Sequence, residues 1–382
     1  MSLFFIFFFS AYGLLHLYIL LKARIALALN VRSSLAIACF MALMIIAPVI
    51  VRLSEGAGLE LLARSVAYVG YAWLGIMFLI VCSSIVTDLY RLLVYLISFV
   101  PGLDVSRFSF SSRAYFLMAL SVSILISLYG YFEARQVRVE RVVIKTSKIP
   151  PRVSPLRIAQ ISDVHVGLIV RHERLRKIVE QVKKVEPHLL VSTGDLVDGQ
   201  INGLEGLAEI LQAVNPRYGK FAITGNHEFY AGLKQAIDFT ERSGFTMLRG
   251  EHATIDDFLT VVGVDDPAGS GVSKGDGAQE RALLEKSSSA PSGRFILLLK
   301  HRPDVEQDSL GMFHLQLSGH VHKGQIFPFR FFTRLFYPRI SGFFHLPKNS
   351  DFYISRGSGT WGPPIRFLAP PEVTVIELVH TE

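Results

Sequence analysis

The stretch LRIAQISDVHVG, residues 156–167, is an apolar run that stops abruptly at an acid and an imidazole, Asp163 and His165. It reads as a short β-strand that empties into a polar loop. The pattern then returns downstream. HLLVSTGDLVDG (188–199) carries Asp195 beyond its apolar run, and KFAITGNHEFY (220–230) carries Asn226. RFILLLKHRPD (294–304) ends on His301, and FHLQLSGHVHKGQ (313–325) ends on His320 and His322. Between the first two runs, residues 171–185 place Leu175, Ile178, Val179 and Val182 on one helical face. Strands alternating with helices predict an α/β sheet, and in such sheets ligands gather outside the carboxyl ends of the strands.

Asp163, His165, Asp195, Asn226, His301, His320 and His322 should therefore converge. Carboxylates and imidazoles meeting at one edge require a cation between them, and seven such groups suffice for two divalent ions. His320 and His322 lie one residue apart between glycines, which predicts a tight turn where the backbone comes close to an ion. Oxygen and imidazole donors without a thiolate suit Mn, Fe or Zn.

The ordered motifs DVH, GDLVD, GNHE, a lone His after a strand, and GHVH resemble the calcineurin-like metallophosphoesterase superfamily from about residue 156 to the C-terminus. The ending YISRGSGTWGPPIRFLAPPEVTVIELV is similar to the membrane-associated bacterial branch of that superfamily. The resemblance implies a two-sheet β-sandwich flanked by helices. It implies one metal on Asp163, His165 and His322, a second on Asn226, His301 and His320, and Asp195 bridging both. It further implies hydrolysis of a phosphate ester by a hydroxide activated between two metals, with His227 as acid or transition-state stabiliser and Asp198 orienting it. Two departures narrow the reading. Gly199 stands where protein serine/threonine phosphatases of the superfamily carry arginine, which weakens a phosphoprotein substrate. Val321 and Lys323 replace residues of the GHTHGGQ form, and Lys323 is a candidate for binding a substrate phosphate.

The first third of the chain is of another kind. Apolar runs at about 3–21, 33–51, 66–86 and 114–132 each approach the roughly 20 residues that cross a bilayer core. No basic region precedes the first and no small-residue cleavage site follows it, so it is expected to remain as a helix. The run 92–100 is too short to span alone and should extend the third helix or lie at the interface, with Asp88 and Arg91 paired at the membrane edge. The expected organisation is a transmembrane bundle of about four helices (1–135), a linker (136–155) and an α/β metallophosphoesterase domain (156–382).

The formal net charge of +7 has no dense basic block with interleaved aromatics behind it, which argues against a nucleic-acid partner. Lys22, Arg24 and Arg32, and later Arg135, Arg138, Arg141, Lys145 and Lys148, flank the apolar runs as expected beside anionic headgroups. Their distribution votes both ways on orientation, so the side of the membrane stays unassigned. Cys39 and Cys82 both lie in apolar runs, so no disulfide framework exists.

The sequence thus points to a multi-pass protein of a bacterial inner membrane, anchoring a metal-dependent phosphoesterase, with no protein partner indicated. Lipid-linked phosphoesters are one substrate class. A pyrophosphatase of a nucleotide-linked lipid such as UDP-diacylglucosamine, or a non-catalytic scaffold, are the alternatives. A transporter would require polar groups deep in the helices, where His16 stands alone. The segment QIFPFRFFTRLFYPRISGFFHLP, 325–347, interleaves aromatics with Arg330, Arg334 and Arg339. It either folds its rings into the core or offers them to a bilayer.

Overall fold

The computed structural model describes residues 2–199, 203–269, 277–288 and 293–382. The chain divides into two compact units, Met1–Phe132 with Gly362–Ile365, and Glu133–Trp361 with Arg366–Glu382.

The first unit is helical. It contains α1 (Ser2–Ala26), α2 (Val31–Gly56), α3 (Glu60–Ile97) and α4 (Ser112–Glu133). Among the described residues these are the 4 helices long and apolar enough to cross a membrane. At 1.5 Å per residue the 38 residues of α3 reach about 57 Å, well past the ~30 Å hydrocarbon core. The short apolar run after residue 92 thus continues α3, as expected. Tyr12, Ile19, Met41, Met77, Ile80 and Phe116 form the interior. Gly70 lets α3 lie against Ala47 of α2, where an added Cβ would come within 2.6 Å of the alanine Cβ.

His16 is fully engaged between helices, its Nδ1–H donating to the Tyr12 carbonyl at 2.8 Å and its Nε2 accepting from Trp73 Nε1 at 2.9 Å. It therefore joins α1 to α3. Asp88 differs from expectation. It takes Lys22 at 2.5 Å and the Tyr18 hydroxyl at 2.6 Å, both from α1, while Arg91 lies over the Tyr115 ring. Helix packing brings a cation from another helix, which spacing along one helix does not reveal.

The second unit holds two six-stranded mixed sheets. Its strands are β1 (Arg138–Thr146), β2 (Leu156–Ile161), β3 (Leu189–Ser192), β4 (Lys220–Ala222), β5 (Thr246–Met247) and β6 (Glu251–Ile255). They continue with β7 (Leu259–Gly263), β8 (Phe295–Leu299), β9 (Leu315–Ser318), β10 (Gly342–Leu346), β11 (Ser350–Ile354) and β12 (Glu372–His380). One sheet has the order β1-β12-β2-β3-β4-β5 and the other β10-β11-β9-β8-β7-β6. Helices α5 (His172–Lys184), α6 (Leu207–Gln212), α7 (Asn226–Ala231), α8 (Leu233–Arg242), α9 (Gly277–Ser288) and α10 (Arg330–Phe336) complete the unit.

Strand β8 shows why apolar runs mark the interior. Phe295, Leu297 and Leu299 enter a core shared with Ile158, Leu189, Val191 and Ile376 of the other sheet. The alternate residues Ile296 and Leu298 pack outward with Leu284 of α9. A strand covered on both faces reads as a continuous apolar run because neither side-chain set meets water. Each such leucine contributes about 2 kcal/mol by leaving water. The opposite outer face buries Leu175, Ile178, Val179 and Val182 of α5, the helical face read from the sequence, beside Ala159, Leu190 and Val375.

The stretch taken as a linker, 136–155, contains a strand. β1 pairs in parallel with β12 from Arg138 opposite Glu372 to Thr146 opposite His380. Its partner is the C-terminal strand, more than two hundred residues away, and its exposed basic residues resemble a membrane-edge cluster. Arg141 instead donates to Glu377 of β12 at 2.7 Å.

Candidate metal centre

Strands β2, β3 and β4 run parallel side by side in one sheet, and β8 and β9 do so in the other. All the residues expected in the site follow the carboxyl ends of these five strands. Asp163 and His165 follow β2, Asp195 and Asp198 follow β3, Asn226 and His227 open α7 after β4, His301 follows β8, and His320 and His322 follow β9. The loops are tied across sheets, with the His320 N–H donating to the Asp163 carboxylate at 2.9 and 3.0 Å.

The fold brings these side chains together in overlapping groups. The donor atoms of Asp163, His165 and His322 lie within 4.8 Å of one another, as do those of Asp195, His301 and His320, and those of His165, Asp195 and His227. His165 Nε2 stands 3.1 Å from His322 Nε2, and His320 Nδ1 stands 3.2 Å from His301 Nε2. Asp195 lies between the two pairs, Oδ2 being 3.2 Å from His301 Nε2 and 3.9 Å from His165 Nε2. Asn226 opens α7 beside His227, whose backbone N–H donates to Asp195 at 2.8 Å, and its buried Oδ1 has no hydrogen-bond partner among the described residues.

Facing imidazole nitrogens, buried carboxylates and an amide oxygen without a partner among the described residues make a donor set that could hold cations. A buried acceptor without a partner costs about 1–3 kcal/mol. The donor set fits divalent metals of the Mn, Fe or Zn kind.

The backbone also concentrates strain here. Asp163 (φ 50°), His165 (φ 54°), Asp195 (φ 52°), His320 (φ 72°) and His322 (φ 47°) all lie in the left-handed region that non-glycine residues seldom adopt. Residues in sparsely populated conformations cost of order 1–3 kcal/mol each and cluster at functional sites. Two glycines make the approach possible. A Cβ at Gly225 would run into the Asp195 carboxylate, and one at Gly319 into Ser162 and Asp163.

Electrostatics follow from burial opposed by neighbours. Burial resists ionisation of Asp163, Asp195 and Asp198, yet the surrounding imidazoles, led by His322, His301 and His165 respectively, hold all three below the ordinary carboxylate range. Burial also resists protonation of His227 and His301, but the Asp195 charge overcomes it and raises them to about 9 and about 10. Burial lowers His320 and His322 to about 4.

His227 is held at the edge of this group. Its Nδ1–H donates to the Asp198 carbonyl at 2.6 Å and lies 3.2 Å from Asp198 Oδ1. The same Oδ1 is 3.4 Å from His165 Nδ1, so Asp198 reaches both imidazoles. Lys323 directly follows His322, half-buried and left-handed (φ 53°).

Other residues of the site carry no assignment from the sequence. Buried Glu228 accepts from the Gly225 N–H at 2.6 Å, Leu196 N–H at 2.8 Å and Asp195 N–H at 3.0 Å, stapling two ligand loops. Its position in the GNHE motif was the available signal. Arg366, fully buried, brings Nη2 to 3.0 Å from His322 Nδ1 while donating to the Gly359 and Ala369 carbonyls. Trp361 is 56% exposed with its ring 6.0 Å from that of His227, and Gln325 fixes it by exchanging hydrogen bonds with its backbone at 2.8 and 3.0 Å. Tyr230 flanks His227 at 5.3 Å and Tyr337 flanks His320 at 5.5 Å, giving the centre an aromatic rim. His188, His314 and His380 are engaged elsewhere with Arg157, Ile296 and Ile149, as expected for histidines outside the motifs.

The calcineurin-like phosphoesterase family matches residues 156–324. An uncharacterized metallophosphoesterase of Aquifex aeolicus is 36% identical over 259 residues, covering 67% of this chain and 97% of that protein. A transmembrane protein with metallophosphoesterase domain from Danio rerio is 31% identical over 275 residues, 69% of this chain and 62% of that protein, so the chain spans less than two thirds of it. The uncharacterized metallophosphoesterase YkuE of Bacillus subtilis is 29% identical over 269 residues, 66% and 90% of the two chains.

Proposed function

Because the chain belongs to the calcineurin-like phosphoesterase family, hydrolases of phosphoester bonds, we propose that it is a membrane-anchored member that uses two divalent ions to act on a phosphate ester presented at a bilayer. The observation that carries the catalytic part is the pair of donor clusters joined through Asp195. Asp163, His165 and His322 would hold one ion, Asn226, His301 and His320 the other, with Asp195 common to both. Bound there, the ions supply Lewis acidity that makes water nucleophilic near neutral pH and draws phosphate oxygens. The protein does the rest. Thr193 fixes the His301 ring by accepting from Nδ1 at 2.8 Å, which leaves Nε2 free towards the centre. His227, held through Nδ1 by the Asp198 carbonyl and carboxylate, is placed to give a proton to the departing ester oxygen. Lys323 is placed beside the site to meet a substrate phosphate.

A scaffold without turnover is disfavoured, since every ligand position is filled and five of these residues hold strained conformations. The anchor rests on the four apolar helices, and a bacterial cell membrane is the setting proposed for it.

The membrane-presented substrate is supported by α10 and its flanks. Phe329 (49% exposed), Phe331 (53%), Phe332 (55%), Leu335 (78%) and Phe336 (79%) are turned to solvent rather than into the core. With Arg334 and Arg339 exposed beside them, they have the make-up of an interfacial element, aromatics for the headgroup layer and guanidinium groups for lipid phosphates. The chain follows directly from the His322 turn into this helix. Replacing Phe331, Phe332 and Phe336 together by serine is expected to lower hydrolysis of lipid phosphoesters in vesicles by about tenfold. Bis(4-nitrophenyl) phosphate in solution should be cleaved as before. Equal loss on both substrates would show that these rings support the fold, and the bilayer-facing role would be wrong. A nucleotide-linked lipid pyrophosphate is the second reading, favoured by the unpaired cations described next.

A further inference from the structure

Two cations stand beside the metal-binding turn without an ion-pair partner among the described residues. Lys323 stands between His322 and Gly324 at φ 53°, ψ 25°, a conformation suited to glycine, and among the described residues its ammonium has no hydrogen bond or ion pair. Strain of this kind clusters at functional sites, and here it falls on the turn that carries His320 and His322. Arg330 opens α10 against the same turn, since a Cβ on Gly324 would come within 2.6 Å of the Arg330 backbone nitrogen. Its guanidinium stacks on Phe327 and Phe331, 4.6 and 5.6 Å from their centroids, and its buried Nε has no hydrogen-bond partner among the described residues. Arg356, the next cation, is satisfied by Glu140 at 2.5 Å and Glu372 at 2.6 Å. Lys323 lies within electrostatic reach of Arg330 and Arg356, which places the three cations in one neighbourhood.

We propose that Lys323 and Arg330 form a subsite for a second phosphate group of the substrate, beyond the one that is hydrolysed. This rests on the phosphoesterase reading and deepens it, naming the substrate as a diphosphate or a phosphoester bearing a further phosphate. The planar guanidinium, already braced by two rings, and the point charge of lysine suit phosphate oxygens.

The test uses the full-length, Mn-loaded protein in nonionic detergent, with calorimetric affinities for methylphosphonate and methylenediphosphonate. The wild type is expected to bind the diphosphonate at least about tenfold more tightly, the range of one or two charge-assisted hydrogen bonds. Lys323→Gly and Arg330→Leu should each narrow that gap by about tenfold. Chelation of free metal is common to all three proteins and cancels. Lys323→Gly removes backbone strain, so it should melt no lower than the wild type and a loss of affinity cannot be laid to misfolding. An unchanged gap in both variants would overturn the subsite. So would variants that keep the gap and lose only their response to phosphatidylglycerol micelles, which would make the pair a lipid-headgroup contact. Turnover of bis(4-nitrophenyl) phosphate is measured separately. Its absence in the wild type would count against the phosphoesterase reading, whatever the affinities show.

Discussion

Asp195→Asn is expected to reduce phosphoester hydrolysis by about 10³-fold or more, because one substitution removes the negative charge that both proposed ion sites share. The replacement is nearly isosteric. Its amide oxygen can still accept the His227 backbone N–H, now made at 2.8 Å, so the local fold should survive. The charge cannot be replaced. Asp195 Oδ2 lies 3.2 Å from His301 Nε2, and the carboxylate is the main influence raising both His301 and His227. Metal content measured by mass spectrometry should fall from about two ions per chain to one or fewer. A variant that retains wild-type metal content and activity would remove Asp195 from the bridging role.

His227→Ala should behave differently, keeping both ions while lowering turnover by about 10²- to 10⁴-fold, the usual range for general acid catalysis. His227 is 9% exposed and tied at Nδ1 to Asp198, whose carbonyl and carboxylate lie 2.6 and 3.2 Å away. It stands at the rim of the ligand groups, with Tyr230 and Trp361 beside its ring. A proton donor matters most when the leaving oxygen is basic. The deficit should therefore be large for an alkyl ester and much smaller for a 4-nitrophenyl ester. Equal losses on both would assign His227 to electrostatic stabilisation instead, and loss of metal would make it a ligand.

The five strand-to-loop transitions were legible because a strand covered on both faces must be apolar throughout, so the polar residue that ends it stands out. β8 and β9 show this plainly, passing from buried leucines to His301 and His320. The helical face of α5 was legible for the same reason at a different period. The residues that hold the ligands in place were harder to find, because their partners are far along the chain. Glu228 accepts the Gly225 N–H within its own motif but also those of Asp195 and Leu196, more than thirty residues away, and Arg366 approaches His322 from 44 residues on. No local pattern encodes such pairs. β1 was missed because, among the described residues, its strand partner is β12, more than two hundred residues on. Its edge position leaves basic side chains exposed, as a membrane-flanking segment would. The aromatic segment could not be placed from composition, since Phe327 and Tyr337 are half-buried while Phe332 and Phe336 between them are exposed. The Asp88 pairing failed for the opposite reason. Arg91 was near in sequence, but α1 supplied Lys22 and Tyr18.

Metal analysis of the purified full-length protein, paired with hydrolysis of bis(4-nitrophenyl) phosphate before and after chelation, tests the dinuclear centre most directly. About two divalent ions per chain are expected, with activity lost on their removal and restored by Mn. Full activity in the chelated, metal-free protein would contradict it.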